Sequence, residues 1–231
     1  MNAAAGSDWS GPGTEASAFM IGVDAAGRHV VPAADALLAI ATSEQHPITG
    51  AACGARVIVA RKWGQYHRNH PVLKSDDRLC PTCVWSAALA TGRLEQELDA
   101  LRPRDITLQV MVQLLPDPQI LPRLCRSIID QLGVDEQDHP RLIEVLAHAT
   151  AHRPVLLLPE ECGDGECDHQ RCTGTDGVLA CPACSLLAGG WAGEWEGQYQ
   201  PECTIAAPCQ VLTTLAASYG INVTDPADSH A

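Results

Sequence analysis

The sequence predicts an α+β protein: two small cysteine-bearing lobes joined by a helical middle segment. Three observations predict it. The turn Cys80-Pro81-Thr82-Cys83 has an echo at Cys181-Pro182-Ala183-Cys184, and each turn borders an apolar segment. Short β-type runs, Arg56 to Ala60 and Val155 to Leu158, precede the two turns. Between them, residues 103–152 lose the paired cysteines and carry apolar residues at three- and four-residue spacing. The expected organisation is a loose tail over 1–17, a first lobe over 18–102, a helical segment over 103–152, a second lobe over 153–222, and a frayed tail over 223–231.

In the first lobe, Phe19 to Val23 and Arg28 to Val31 flank Asp24-Ala25-Ala26-Gly27, which reads as a hairpin with Gly27 at positive φ. Pro32 opens a helix to about Thr42, with Leu37, Leu38 and Ala41 on one side. After Cys83, the residues Val84, Ala88, Thr91, Leu94, Leu98 and Leu101 suggest one amphipathic helix weakened at Gly92. In the middle segment, Ile106 to Leu115 reads as helix. Ile120, Leu124, Ile128 and Leu132 mark a second, stopped by Gly133. Asp138 is placed to cap a third, with Leu142, Ile143, Val145, Leu146 and Ala149 on its apolar face. A last helix runs from Val211 to Tyr219 and closes at Gly220.

Eleven cysteines in 231 residues, clustered in Cys-x-x-Cys units, point to metal-bound thiolates rather than a disulfide framework. Two cysteines at i and i+3 around a proline turn direct both sulfurs to one tetrahedral centre, and nearby amides stabilise the thiolates. Aromatic residues are only 4% of the chain, so metal ligation would replace part of a sparse apolar core. The first predicted site is His46, Cys53, Cys80 and Cys83, with His67 and His70 competing for the place of His46. The second is His169, Cys172, Cys181 and Cys184, with Cys162 and Cys167 as alternatives. Cys203 and Cys209 are left over, for a third metal or for none. Two Zn²⁺ ions are the expected cofactors, each held without an open coordination position. His148 and His152 share a helix face at i and i+4 but lack a third ligand nearby, so they read as surface histidines.

The formal net charge of −13 excludes a general nucleic-acid binder, whose affinity rests on neutralising phosphates. One basic stretch interleaved with aromatics remains, Arg61, Lys62, Trp63, Tyr66 and Arg68, where phosphate contacts and base stacking could coexist. A solvated face balanced by Asp76 and Asp77 explains the same residues. No run approaches the ~18 apolar residues of a membrane span. Phe19 to Val23 is too short for a signal peptide core, so a cytoplasmic location is expected.

A ligand pair at the start of a helix, preceded by strands, resembles a treble-clef finger. His46-x6-Cys53-Gly54 followed by Cys80-Pro-Thr-Cys83 resembles a pattern in small actinobacterial zinc-knuckle proteins with no assigned activity. So does Ala207-Pro-Cys-Gln-Val-Leu-Thr-Thr-Leu-Ala-Ala-Ser-Tyr219 near the C-terminus. The resemblance implies zinc knuckles in a bacterial cytosol and carries no chemistry. His67-Arg68-Asn69-His70-Pro71 ahead of Cys80 also resembles the HNH-nuclease hairpin, with His70 as the residue that would activate water. It departs from that family because His70 abuts Pro71, no Asn follows before Cys80, and no His follows Cys83. The expected role is therefore a non-catalytic binding or regulatory module with a protein partner. Nucleic-acid binding through residues 56–78 and an HNH-like nuclease are the alternatives.

Overall fold

A computed structural model of the chain describes residues 18–25, 27–43, 45–60, 79–102, 106–157, 178–185 and 204–222. These form two compact units, 1–83 and 84–231, and the division falls inside one helix. Among the described residues no helix is long and apolar enough to cross a membrane.

The first unit is built on an antiparallel sheet. Its strands are β1 (Phe19–Val23), β2 (Arg28–Pro32), β3 (Ile48–Gly50) and β4 (Arg56–Val59), in the order β2-β1-β4-β3. The hairpin forms as the sequence predicts: β1 pairs with β2 from Phe19 opposite Pro32 to Val23 opposite Arg28. The amide of Asp24 donates to the Gly27 carbonyl, and the Gly27 amide donates to Asp24 Oδ1. Strand β1 is buried from Met20 to Gly22, and Ile21, Val30 and Val31 are fully enclosed.

Helix α1 (Ala33–Thr42) follows Pro32 directly and packs on the sheet through Ala36 and Ala39. This corrects the predicted face. Leu37 and Leu38 are 59% and 65% exposed, and Ala41 is exposed too. Small side chains let the helix lie close on the strands, which the bulkier leucines would prevent. At Gly22 the packing is tighter still. A Cβ there would sit 2.5 Å from Val57 Cγ2 and 2.8 Å from Val31 Cγ2. Both neighbours are β-branched and stiff at χ1. Gly22→Ala is expected to destabilise this unit by about 1–3 kcal/mol, measured by chemical denaturation. An unchanged midpoint would show that the valines can give way.

The second unit begins within α2 (Pro81–Ala90). It continues through α3 (Leu94–Ala100), α4 (Ile106–Val112), α5 (Ile120–Leu132), α6 (His139–Ala151), the two-stranded ribbon β5 (Val155–Leu157) with β6 (Val178–Ala180), and α7 (Gln210–Ser218). The single helix predicted after Cys83 is two helices. Gly92 has φ 65°, its amide donates to the Leu89 carbonyl, and the Arg93 amide donates to Ala88. That pair of bonds is a helix terminator, so Gly92 ends α2 instead of weakening one continuous helix. Helix α4 likewise stops at Val112, short of the predicted Leu115. Asp138 precedes α6 but makes no side-chain cap bond.

The periodic apolar positions of α5 and α6 meet in one core. Ile120, Leu124, Ile128, Leu142 and Leu146 are buried together with Trp85, Cys181, Cys209, Leu212 and Ala216. The predicted helical middle and C-terminal lobe thus share a hydrophobic core, and the helices are not a separate spacer. Trp85 Nε1 donates to Thr150 Oγ1 at 3.2 Å, and Thr150 Oγ1 donates to the Leu146 carbonyl at 2.8 Å. Helix α5 also holds the end of α7, since Ser127 Oγ and Gln131 Nε2 both donate to the Tyr219 carbonyl.

Candidate metal centres

Strand β2 is an edge strand of its sheet, and its backbone gathers the first site. The Val30 carbonyl accepts from the Ala52 amide, and the Arg28 carbonyl accepts from the Cys80 amide, both at 2.8 Å. Residues i and i+2 of a strand present their carbonyls to the same side. The two cysteine-bearing turns are therefore hung side by side on one edge, and His29 lies between the two anchor points. The turn at Cys53 is closed by Ala51 donating to Ala55 and by Gly54, at φ 86°, donating to Ala51. Cys83 falls in the first turn of α2.

His29, Cys53, Cys80 and Cys83 form one group whose ligand atoms all lie within 4.8 Å of one another. His29 Nδ1 is 3.3 Å from Cys53 Sγ and 3.7 Å from Cys83 Sγ. His29 is buried, although it carries a polar ring, beside the apolar Val30 and Val31 of the same strand. The predicted histidine differs. His46 is exposed, its amide takes Ser43 Oγ as acceptor, and it stands outside the group. The position before a short strand cannot reach a site built on the far edge of the sheet. The signal in the sequence for His29 is a histidine inside a β-run, Arg28-His29-Val30-Val31. The competing His67 and His70 lie outside the described residues.

The second site is assembled by the ends of the β5–β6 ribbon. Val155 pairs with Ala180, so His152, three residues before the one, comes near Cys181, just after the other. His152 is the C-cap of α6. The Cys181 amide donates to Ile205 and the Ala207 amide to Leu179, which brings the segment 204–207 alongside β6. That delivers Cys209, the N-cap residue of α7. His152, Cys181, Cys184 and Cys209 form the second group within 4.8 Å. His152 Nδ1 is 3.3 Å from Cys181 Sγ, 3.4 Å from Cys184 Sγ and 3.5 Å from Cys209 Sγ.

Here too the sequence reading differs in part. His152, read as a surface histidine, is buried and faces three sulfurs. Cys209, left without a role, belongs to the group. His169 and Cys172, with the alternatives Cys162 and Cys167 and the spare Cys203, lie outside the described residues. So do Arg61, Lys62, Trp63, Tyr66, Arg68 and the rest of the basic stretch from residue 61 on, and His70 of the nuclease resemblance.

The donor chemistry fits a tetrahedral ion. Bonds of ~2.3 Å to sulfur and ~2.0–2.1 Å to nitrogen, at tetrahedral angles, separate the two donor atoms by about 3.6 Å. The observed nitrogen–sulfur separations bracket that value closely. Two Cys₃His groups, one in each compact unit, are suited to hold a metal ion.

The thiols in these groups are mutually dependent. The hydrogen bond from Cys83 is the main influence drawing Cys80 down to about 5. Cys83, the donor in that bond and buried, is pushed up. In the second group burial pushes Cys181 up to about 12 and raises Cys184. Burial, then the neighbouring His148, lowers His152, which favours the neutral imidazole that a ligand requires. The rings of His148 and His152 meet edge to face with centroids 4.9 Å apart.

No family model, curated protein or solved structure matches the chain.

The seven described cysteines are all free thiols, and six of them are in the two groups. The seventh, Cys125, is sealed in the core and pushed up to about 12 by burial. It behaves as a small apolar side chain. Iodoacetamide applied to the folded protein is expected to leave Cys125 unlabelled, as read by peptide mass mapping. Rapid labelling would mean that the α5–α6 core opens readily.

Proposed function

We propose that this chain is a non-catalytic, zinc-stabilised binding module that takes one Zn²⁺ in each unit and recognises a protein partner. The observation that carries the zinc reading is the ligand set. Three thiolates and one imidazole supply four donors of the types zinc prefers, and they leave no coordination position for a substrate or an activated water. A closed quartet is the form of a structural site. Cys80 and Cys83 at the head of α2, after a strand-borne histidine and a glycine-closed turn, support a treble-clef-like reading of the first unit.

Two exposed apolar pairs in the first unit support the protein partner. They are Leu37 with Leu38 on α1, and Ile48 with Ile58, which face each other across β3 and β4 at 47% and 42% exposure.

Native mass spectrometry of the purified protein tests the zinc reading. The expected mass exceeds that of the chain by two zinc ions, and both are lost on chelation. A metal-free, folded protein would overturn it. The partner is tested by quantitative co-purification from the native host with wild type and with a Leu37→Glu/Leu38→Glu variant. Exposed substitutions of this kind usually change stability by ~0.5 kcal/mol or less. A partner retained equally by both proteins would remove α1 from the surface.

A further inference from the structure

The two quartets differ in what stands behind the histidine. In both, Nδ1 faces the sulfurs, and ligation through Nδ1 leaves the other ring nitrogen, Nε2, to carry the proton of a neutral imidazole. In the first quartet that nitrogen has a carboxylate partner. His29 Nε2 lies 3.2 Å from Asp24 Oδ2; the His29 ring is buried, while Asp24 sits exposed on the turn. The second oxygen of the same carboxylate, Oδ1, accepts from the Gly27 amide at 3.0 Å and so is fixed by the hairpin turn. For His152 the described neighbour is the ring of His148.

We propose that Asp24 is the positioning residue of the first metal site. Its carboxylate holds His29 in the Nε2-protonated tautomer with Nδ1 free to ligate, and it strengthens the imidazole as a donor. This rests on the zinc reading above. The hairpin turn then has a second task beyond joining β1 to β2. It orients a carboxylate that sets the ring, and the ring faces the turns hung on the outer edge of β2. Outer carboxylates of this kind typically contribute 10–100-fold in metal affinity.

Asp24→Asn separates this role from the turn. Asparagine can keep the Gly27 bond through Oδ1, but then it offers His29 an amide N–H where the carboxylate offered an acceptor. An N–H facing Nε2 favours the tautomer protonated at Nδ1, which cannot bind the ion. The experiment is competition of the full chain against a chromophoric zinc chelator, with long-range ¹H–¹⁵N NMR of the imidazoles on the same samples. Expected are two ions in wild type, one of them bound 10–100-fold more weakly in Asp24→Asn, the other unchanged, and a wild-type His29 protonated at Nε2. Equal affinities for both ions in wild type and Asp24→Asn would overturn this inference and leave the zinc reading standing. So would a wild-type His29 protonated at Nδ1, a measurement that does not depend on the variant folding. A wild-type chain that takes up no zinc overturns both.

Discussion

Stripping both ions is expected to abolish the cooperative melting of the first unit and to leave the second partly helical. Binding free energies of structural zinc reach roughly 10–16 kcal/mol in small domains, which matches or exceeds the ~5–15 kcal/mol net stability of most proteins. Among the described residues, the first unit has a small apolar core. It consists of Met20, Ile21, Val30, Val31, Val57 and Val59 from the strands, Ala36 and Ala39 of α1, and Ala51 and Leu79 beside the ligand turns. The second unit has a larger apolar core around Ile120, Leu124, Ile128, Leu142 and Leu146. There, metal loss should free the ribbon β5–β6 and the start of α7 while α5 and α6 persist. The measurement is far-UV circular dichroism with thermal melting, with and without chelator, and superimposable curves would sink the expectation. Acid should act in the same direction. Zinc ligation requires thiolates, yet burial holds the Cys181 thiol at about 12, so ion and proton compete there. Affinity therefore falls as pH falls, and acidification should release zinc.

Replacing Trp85 by alanine should cost about 3–5 kcal/mol, the largest effect expected from any substitution away from the quartets. The indole is 1% exposed and packs in the core shared by α5, α6 and α7. Its removal leaves a cavity between elements that cannot all collapse at once. The lost bond to Thr150 matters less, because Thr150 Oγ1 still donates to the Leu146 carbonyl. Denaturant unfolding of the zinc-loaded protein would measure the loss. A change under about 1 kcal/mol would mean that the core around Trp85 re-packs freely.

What could be read in the sequence was whatever is local. The hairpin follows from alternation on both sides of Asp24–Gly27, and α5 from apolar residues every fourth position, ended at Gly133 with φ 76°. The two Cys-Pro-x-Cys pairs were legible because three residues of turn suffice to bring two sulfurs together. Local pattern failed where a choice depended on distant partners. The predicted face of α1, Leu37, Leu38 and Ala41, is exposed, and the buried positions are the small Ala36 and Ala39. His29, His152 and Cys209 are gathered by a strand edge and by the meeting ends of a ribbon. Their sequence separations from the cysteine pairs contain no regularity to detect. Both predicted sites place the close Cys-Pro-x-Cys pair last, His169 and Cys172 preceding Cys181 and Cys184 in the second, yet the groups observed run His-Cys-Cys-Cys with the close pair last in one and in the middle in the other.

The outer edge of β2 also bears on what happens when the ions leave. Its carbonyls at Arg28 and Val30 are occupied by the turns that carry Cys80 and Cys53, so ligand loops stand where another strand could otherwise dock. A bare strand margin is a template for stacking with neighbouring copies. Demetallation would then do more than loosen one unit. It would expose an adhesive border, and the apoprotein should precipitate at concentrations where the loaded protein stays dispersed.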